Sequence, residues 1–316
     1  MAVFYLIFQR LGQAALVAFV LATLSFVFIQ ILPGDIALRI TVARVGIDQA
    51  SALEVERIRE QASLSRPMLF QYADWMRSVA TGNLGRSFVS DRPVSEELVT
   101  AAGYTFRLAI IAWVLSYLIA LPIGIYAGLR PNGFLDRMTA VLGATLASLP
   151  SFLVGIGLIS VFVLMLRWFP PAGYRTSAHL VLPAVTLALS LLPASVRIIR
   201  NAVSEVRASF YMTFARFKGL TRFRAFRDHG LRNAAIPVVT FAALQLAFLM
   251  DGFVVVETLF NYPGLGDALV KALLARDIPV IMGCSLVIGT LYAIVNLAAD
   301  LIVVKLDPRR MESAVL

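Results

Sequence analysis

The chain has 316 residues, of which 59% are hydrophobic and only 15% are charged. Soluble domains carry roughly 25% charged residues, so this composition excludes a globular protein that faces water on all sides. The single cysteine, Cys284, excludes an intrachain disulfide and a metal site built from several cysteines.

Six windows that contain no charged side chain follow one another along the chain. A transmembrane helix needs about 17–25 apolar residues to cross a hydrocarbon core of about 30 Å, and each window reaches that length. Their hydrophobicity is continuous rather than alternating, which favours helices over a membrane barrel. The sequence therefore predicts an all-α, polytopic membrane protein with six transmembrane helices in a single domain, residues 1–316. The windows lie between Arg10 and Asp35, Arg107 and Arg130, Arg137 and Arg167, His179 and Arg197, Arg232 and Asp251, and Asp277 and Asp300.

Residues 33–106 form the largest predicted segment outside the membrane, between the first and second windows. The sequence Ser51-Ala52-Leu53-Glu54 is a capping box, which predicts the start of a helix. Arg66-Pro67 predicts its end, because a residue that precedes proline disfavours the helical conformation. Two interpretations stay open: the segment is a folded link between two spans, or it is a docking or gating surface on the outer side.

Small residues and prolines occur inside the windows. Gly124 and Gly128 form a small-xxx-small pair in the second window, which permits close approach of another helix. Glycine is common in membrane helices, so chance spacing stays an equal explanation. Pro150, Pro183 and Pro193 fall within or near later windows, where proline can kink a helix.

Residues 197–232 form a basic segment between the fourth and fifth windows, with nine arginine and lysine side chains. The sequence predicts that the fourth helix continues through this segment as far as residue 219. Six apolar side chains recur at steps of three or four residues, which predicts one stripe along that helix. They are Ile199, Val203, Val206, Phe210, Phe214 and Phe217.

Gly219 is predicted to end this helix, because glycine readily adopts the left-handed conformation at a helix C-terminus. A second basic stretch, 222–229, is predicted to end at Gly230, and Asn233 is predicted to cap the fifth helix. Two interpretations of the basic segment stay open. It packs against the membrane face through its phenylalanines, or it is a short, rigid projection with aromatic side chains that a soluble partner binds.

The distribution of basic residues predicts the orientation of the chain, because arginine and lysine favour the cytoplasmic ends of membrane helices. With the N-terminus inside, fifteen basic residues lie in the inner segments and four lie in the short outer loops. Both termini are therefore expected to be cytoplasmic. The formal net charge of +9 is explained by this topology and by anionic lipid of the inner leaflet, and no nucleic-acid partner is expected.

The basic segment resembles the cytoplasmic EAA loop of bacterial ABC-importer permeases of the dipeptide, oligopeptide and nickel branch. The matching residues are Ala215, Arg216, Lys218, Gly219, Leu220, His229, Leu231, Arg232, Asn233, Ile236 and Pro237. Further matches occur in the same order along nearly the whole chain. They are Leu32-Pro33-Gly34-Asp35, Gly82-Asn83-Leu84-Gly85-Arg86-Ser87, Arg92-Pro93-Val94, Leu149-Pro150-Ser151-Phe152, His179-Leu180-Val181-Leu182-Pro183-Ala184, Glu257-Thr258-Leu259-Phe260, Pro263-Gly264-Leu265-Gly266, Arg276-Asp277 and Asp307-Pro308-Arg309.

The resemblance implies a type I importer permease fold and a multi-pass protein of the bacterial inner membrane. It implies a non-catalytic translocation subunit for dipeptides or oligopeptides, with chelated nickel as the alternative substrate. The implied partners are a homologous second permease, two ATPase subunits that bind ATP and Mg²⁺, and a periplasmic or lipid-anchored substrate-binding protein. This chain itself is expected to bind no cofactor, and it contains no GxxxxGK[ST] phosphate loop.

The resemblance also implies roles for particular segments. Residues at about 208–220 would be a coupling helix that docks on an ATPase subunit, while residues 33–106 and 257–279 would meet the binding protein. Ser209-Phe210 and Phe217 depart from the family pattern, which has an acidic pair and a small residue there. The expected docking residues are Phe214, Ala215, Arg216, Lys218, Gly219 and Leu220.

A proton-coupled secondary transporter is the alternative from a different class, and it needs ionisable groups near the middle of the membrane. Asp251 lies 18 residues past Asn233, about 27 Å along a helix, and Asp300 lies about 30 Å past Val280. Both positions are close to the edges of the membrane core rather than its middle. Asp251 is instead expected either as a hydrated interfacial carboxylate or, together with Gly252, as part of the substrate pathway near the outer mouth.

Overall fold

A computed structural model describes residues 2–31, 35, 37–38, 41–42, 51–61 and 66–306. The matching sequences Leu32-Pro33-Gly34 and Asp307-Pro308-Arg309 lie outside these residues. Within the described part, the chain is helical, and its β pairing is limited to an isolated antiparallel bridge between Arg86 and Pro93. The predicted all-α class is confirmed.

The helices are numbered here in chain order. They are α1 Ala2–Ile31, α2 Ala52–Gln61, α3 Met68–Ala80, α4 Val94–Leu129, α5 Phe134–Ala147, α6 Ser151–Leu158 with a π-helical continuation Ile159–Met165, α7 Ala178–Ala208, α8 Phe210–Phe217, α9 Arg222–Ala225 with a π-helical continuation Phe226–Gly230, α10 Leu231–Leu259, α11 Leu265–Ala275 and α12 Ile278–Leu306.

The chain divides into two compact units. The first unit comprises Phe106–Tyr262 together with Met1–Leu6 and Val295–Leu316. The second unit comprises Ile7–Thr105 and Pro263–Ile294.

Four described helices are long and apolar enough to cross a membrane, and a fifth span results if one bent pair of helices counts as a single span. The predicted multi-pass character is confirmed, since several helices meet the length of a bilayer core. The four helical stretches are Phe8–Phe28, Val94–Leu129, Ala178–Ala208 and Ile278–Val304, and the bent pair is Phe134–Ala147 with Ser151–Met165.

The third uncharged window is a broken helix rather than a straight span. Helices α5 and α6 meet at an angle of 101°. The break falls at Pro150, whose backbone is extended at φ −57° and ψ 144° before α6 begins. Proline cannot donate the helical hydrogen bond, and it pushes Leu149 away from helical geometry. By contrast, Pro183 and Pro193 lie inside the continuous helix α7.

In the first unit, α7 packs closely on the glycines of α4. A Cβ atom placed on Gly124 would lie 2.7 Å from the Cβ atom of Ile199. One placed on Gly128 would lie 2.7 Å from the backbone oxygen of Arg200 and from the Cβ atom of Val203. The small-xxx-small pair therefore has a packing role, because only glycine allows the two backbones to approach so closely.

In the second unit, the predicted capping box begins α2. The Oγ atom of Ser51 accepts a hydrogen bond of 3.3 Å from the backbone amide of Glu54. Helix α2 is described as far as Gln61, and residues 62–65 lie outside the described part, so its end at Arg66-Pro67 stays a prediction.

Helix α3 was not predicted from the sequence, and it packs on α1. The Tyr72 hydroxyl lies 2.8 Å from Thr23 Oγ1, and the Trp75 indole donates a hydrogen bond of 3.0 Å to the backbone oxygen of Ala22. Buried tyrosine and tryptophan side chains usually satisfy their polar atoms in this way. Residues 68–80 of the 33–106 segment are therefore an ordered element attached to α1.

The close packing of α4 on α7 predicts that Gly128→Ala destabilises the protein by about 1–3 kcal/mol, because the added methyl group meets a backbone oxygen that cannot move aside. The matched control is Gly157→Ala in α6, where nothing lies within 4 Å of the added atom. Alanine there is expected to stabilise the helix by up to about 1 kcal/mol. Thermal unfolding of the detergent-solubilised protein measures both variants, and equal midpoints would contradict the packing described here.

Candidate functional site

The sequence predicted that the fourth helix continues to residue 219, and this prediction is wrong. Helix α7 ends at Ala208, and α8 starts at Phe210. Between them Ser209 is extended, with φ −67° and ψ 152°, and its hydroxyl donates a hydrogen bond of 2.6 Å to the backbone oxygen of Val206. Serine side chains compete with the helical backbone for such bonds, which explains a break that apolar periodicity does not reveal.

This break divides the predicted apolar stripe into two parts with different surroundings. The three aliphatic members, on α7, are all buried in the core of the first unit. The three phenylalanines on α8 are exposed: Phe210 to 84%, Phe214 to 51% and Phe217 to 84%. The prediction of one continuous stripe was wrong, because the extended Ser209 changes the direction of the helix axis.

Helix α8 is held by a different pair of side chains. Met212 and Ala215 are 4% and 6% exposed and belong to the same apolar cluster as Val206, Phe226 and Val238. This cluster joins α8 to α7, to the start of the π-helical turn and to α10. One face of α8 is therefore fixed to the first unit while the aromatic face is free.

The end of α8 at Gly219 is confirmed, and its geometry is a Schellman motif. Gly219 has φ +89°, a conformation in which other residues are strained. Its amide bonds the backbone oxygen of Arg216 at 2.9 Å, and the amide of Leu220 bonds that of Ala215 at 3.3 Å. Leu220 packs on the apolar cluster, which completes the hydrophobic contact typical of this motif.

Gly230 does not end the second basic stretch, contrary to the prediction. Its backbone is helical, with φ −88° and ψ −41°, and the helix passes directly into α10. A Cβ atom on Gly230 would lie 2.7 Å from the Phe226 ring and 3.1 Å from a methyl carbon of Val206. The absence of a side chain is thus needed for close packing on α7, and not for a helix stop.

Asn233 does not cap the fifth helix, because it lies inside continuous helical structure. Its amide nitrogen donates hydrogen bonds of 3.1 Å to the hydroxyl of Tyr211 and to the backbone oxygen of His229. Tyr211 is on α8 and Asn233 is on α10. The side chain therefore connects the exposed helix directly to a membrane-length helix.

The free face of α8 is positively charged as well as aromatic. The ammonium group of Lys218 lies 4.8 Å from the centre of the Phe214 ring, within the range of a cation–π contact. Asp228 pairs with Arg227 at 2.7 Å, and this hydrogen bond lowers the pKa of the Asp228 carboxyl group. The nearby acidic charge is thus already neutralised within this turn.

A hollow of about 550 Å³ lies beside the end of α8. Its lining is formed by Thr213, Arg216, Phe217, Gly219, Leu220 and Thr221. The hollow places a guanidinium group, an aromatic ring and the open glycine side by side, since nothing lies within 4 Å of a Cβ atom on Gly219. These residues form one concave surface that is both cationic and aromatic.

The structure brings most of the predicted docking residues to one surface. Phe214, Arg216, Lys218 and Gly219 are exposed there. Leu220 is half-buried on the apolar cluster. Ala215 faces the interior, so its small side chain allows close packing within this chain.

An ion pair that sequence reasoning missed lies in the same unit. The Nε and terminal nitrogen atoms of Arg200 on α7 each lie 2.8 Å from one carboxylate oxygen of Asp136 on α5. The carboxylate also accepts a hydrogen bond of 2.8 Å from the amide of Asn132. A pair separated by 64 residues leaves no local pattern in the sequence.

Two of the matching sequences outside the basic segment meet in the second unit. The carboxylate of Asp277 accepts hydrogen bonds from the hydroxyl of Ser87 and, at 3.1 Å, from the amide of Phe88. Asp277 is 3% exposed and lies between α11 and α12. It therefore joins the residues just before α4 to the turn between α11 and α12.

The predicted pathway residues, Asp251 and Gly252, are remote in sequence from the residues predicted for docking. Asp251 belongs to α10, and its side chain lies outside the described residues. A Cβ atom on Gly252 would lie 3.6 Å from Leu187 of α7, an ordinary contact that a small side chain tolerates.

Comparison with known proteins identifies relatives over almost the full chain. The glutathione transport system permease protein GsiC of Pectobacterium atrosepticum is 34% identical over 304 residues, which is 96% of this chain and 97% of the relative. The protein of the same name from Escherichia coli is 34% identical over 290 residues, 92% of this chain and 93% of the relative. That from Salmonella typhimurium is 35% identical over 289 residues, with the same coverage.

Two family models also match this chain. Residues 3–109 match the N-terminal part of the membrane component of binding-protein-dependent transport systems. Residues 120–312 match the inner membrane component of the same systems. The resemblance inferred from the sequence is thereby confirmed, and the chain belongs to the family of inner membrane components of binding-protein-dependent transport systems, the ABC-importer permeases.

Proposed function

We propose that this chain is the permease subunit of an ATP-driven importer of di- and oligopeptides. The observation that carries the proposal is α8, which is anchored on one face and offers an aromatic, cationic face on the other. The names of the relatives support the substrate class, because glutathione is a tripeptide. Nickel chelates have no comparable support among these relatives.

The docking surface on α8 receives an ATPase subunit in this proposal. Phe214, Arg216, Lys218 and Gly219 contact the partner directly, while Leu220 and Ala215 hold the helix from behind. ATP and Mg²⁺ bind to the partner, and this chain contributes the moving membrane helices. Since Met212 and Ala215 share one cluster with α7 and α10, a displacement of α8 displaces both helices.

The complete topology comprises six spans with both termini in the cytoplasm. The fifth uncharged window, between Arg232 and Asp251, lies in α10, which has 29 residues. This helix is the sixth span, in addition to the spans of the other five windows. The excess of arginine and lysine in residues 197–232 supports a cytoplasmic position for that segment. All spans form one permease domain, with residues 33–106 and 257–279 on the periplasmic side.

The remaining partners are those that membership of the family implies. A homologous second permease completes the pathway in the membrane, and a substrate-binding protein docks outside on residues 33–106 and 257–279. The hydrogen bonds of Asp277 with Ser87 and Phe88 support this role, because they hold the two outer segments as one surface.

Reconstitution in vesicles with the second permease, the ATPase subunits and the binding protein tests the function. Peptide uptake is expected only with all partners and ATP present. Solute movement by this chain alone would overturn the proposal. Calorimetry of the binding protein with glutathione, a dipeptide and a nickel chelate assigns the substrate class, and heat released by the chelate alone would exclude peptides.

Gly219→Arg is expected to abolish transport while the protein still inserts in the membrane, because the bulky side chain projects into the docking surface. Gly219→Asn is the matched control, since asparagine tolerates the left-handed conformation and adds little volume. Its uptake is expected to stay within about twofold of wild type, corresponding to less than 1 kcal/mol. Wild-type uptake by the arginine variant would contradict the docking surface.

Asp251 and Gly252 lie near the outer mouth of the pathway in this proposal, so the Asp251 carboxylate favours cationic peptides. Asp251→Asn is expected to reduce uptake of lysine-containing peptides several-fold, because one favourable charge interaction is lost. Uptake of neutral peptides by the same variant is the internal control. Unchanged uptake of both peptide classes would remove Asp251 from the pathway.

A further inference from the structure

The exposed face of α8 carries a row of three phenylalanine side chains. Phe210, Phe214 and Phe217 follow one another at steps of four and three residues, so they form one row along the helix. A phenylalanine buries roughly 150–250 Å² when it is covered. A row of exposed rings on a helix whose other face is fully packed marks an interaction surface.

The three rings are not equivalent. Phe214 is the least exposed of them, and the Lys218 ammonium group covers its face at 4.8 Å. Phe210 and Phe217 are each 84% exposed and lie seven residues apart, about two helical turns. These two rings are therefore the available anchors, with Phe214 between them.

The charges around the row define the electrostatic character of the partner. Within the described part of the chain, no carboxylate pairs with Arg216, Lys218 or Arg224, all of which are exposed. Asp228 already pairs with Arg227. The surface around the rings is therefore cationic, and a complementary surface carries carboxylates.

The hollow beside Phe217 determines where such a carboxylate fits. Arg216 lines it together with the small or open residues Thr213 and Gly219. Arginine binds a carboxylate through two parallel hydrogen bonds when the geometry allows it. A concave site with one guanidinium group fits one acidic side chain from a partner.

We propose that the ATPase subunit which docks on α8 has an apolar recess for Phe217 and Phe210, and that it inserts a carboxylate side chain into the hollow beside Arg216. This inference rests on the proposed function and names the chemistry of its docking partner. It gives the importer selectivity for its own ATPase, because a groove shaped for an acidic or small side chain leaves two phenylalanines uncovered.

Titration of the ATPase subunit onto the permease pair in lipid nanodiscs tests the inference. Phe217→Ala and Phe210→Ala are each expected to raise the Kd at least tenfold, because alanine removes an aromatic anchor. The matched control is Phe223→Ala, which removes an exposed phenylalanine outside the row and is expected to leave the Kd within twofold.

The proposed contact between Arg216 and a carboxylate is tested by the salt dependence of the Kd. Arg216→Glu is expected to raise the Kd at least tenfold at 50 mM salt and to weaken the dependence on salt, because a favourable charge pair is replaced by a repulsion. Arg207→Glu, an exposed site at the end of α7, is the control for a change in net charge. Equal effects of the two arginine variants would overturn the carboxylate assignment.

Other outcomes separate this inference from the proposed function. A wild-type permease that binds no ATPase subunit would refute the proposed function. If the wild-type permease binds the ATPase subunit and Phe217→Ala does not change the Kd, only the proposed apolar recess would be refuted. Tryptophan fluorescence of Phe217→Trp distinguishes a lipid contact: quenching by brominated lipid, before and after ATPase addition, would assign the row to the membrane and overturn the inference.

Discussion

Burial of one face of α7 is the interaction on which the first unit depends. A single apolar cluster runs from Tyr117 in α4, past Val196 and Val203 in α7, to Met212 in α8 and Val238 in α10. Because packed interiors transmit displacement rather than absorb it, α8 cannot move independently of the membrane helices. The cluster therefore makes a short surface helix mechanically part of the spans that it follows.

The glycines of this unit have different physical roles, and only some of these roles can be predicted from the sequence. Gly219 supplies a left-handed residue at a helix end, and its position after a periodic segment revealed that role. Gly230 and Gly128 instead allow close contacts with α7. The spacing of Gly124 and Gly128 suggested such a contact, but the sequence alone could not name the partner helix. For Gly230 the sequence indicated a helix end, whereas the structure shows a close contact.

The sequence predicted the helical class and several membrane-length helices, because length and composition decide whether a helix can cross a bilayer. The bend at Pro150 falls at a proline that the sequence marked as a possible kink, but the angle of the bend depends on the tertiary fold. The break at Ser209 lies in the basic segment, outside every uncharged window. The stripe prediction failed at Ser209 because helical periodicity was continued across an extended residue. Contacts such as Asp277 with Ser87 join residues 190 positions apart and depend on the tertiary fold. The residues predicted for docking lie together because they are local to one short helix, and their contact with a partner stays a prediction.

The Asp136–Arg200 pair shows how the same unit combines packing with directional bonds. Removing two charges from water offsets much of their attraction, so the pair contributes little net stability. Its bidentate geometry nevertheless fixes the position of α5 along α7, nine residues before the break at Ser209. On the other side, Asn233 holds α10 to Tyr211 of α8. Polar bonds thus fix α5 against α7 and α10 against α8, while the apolar cluster joins α4, α7, α8 and α10. A force applied to α8 is consequently distributed to α5, α7 and α10 together.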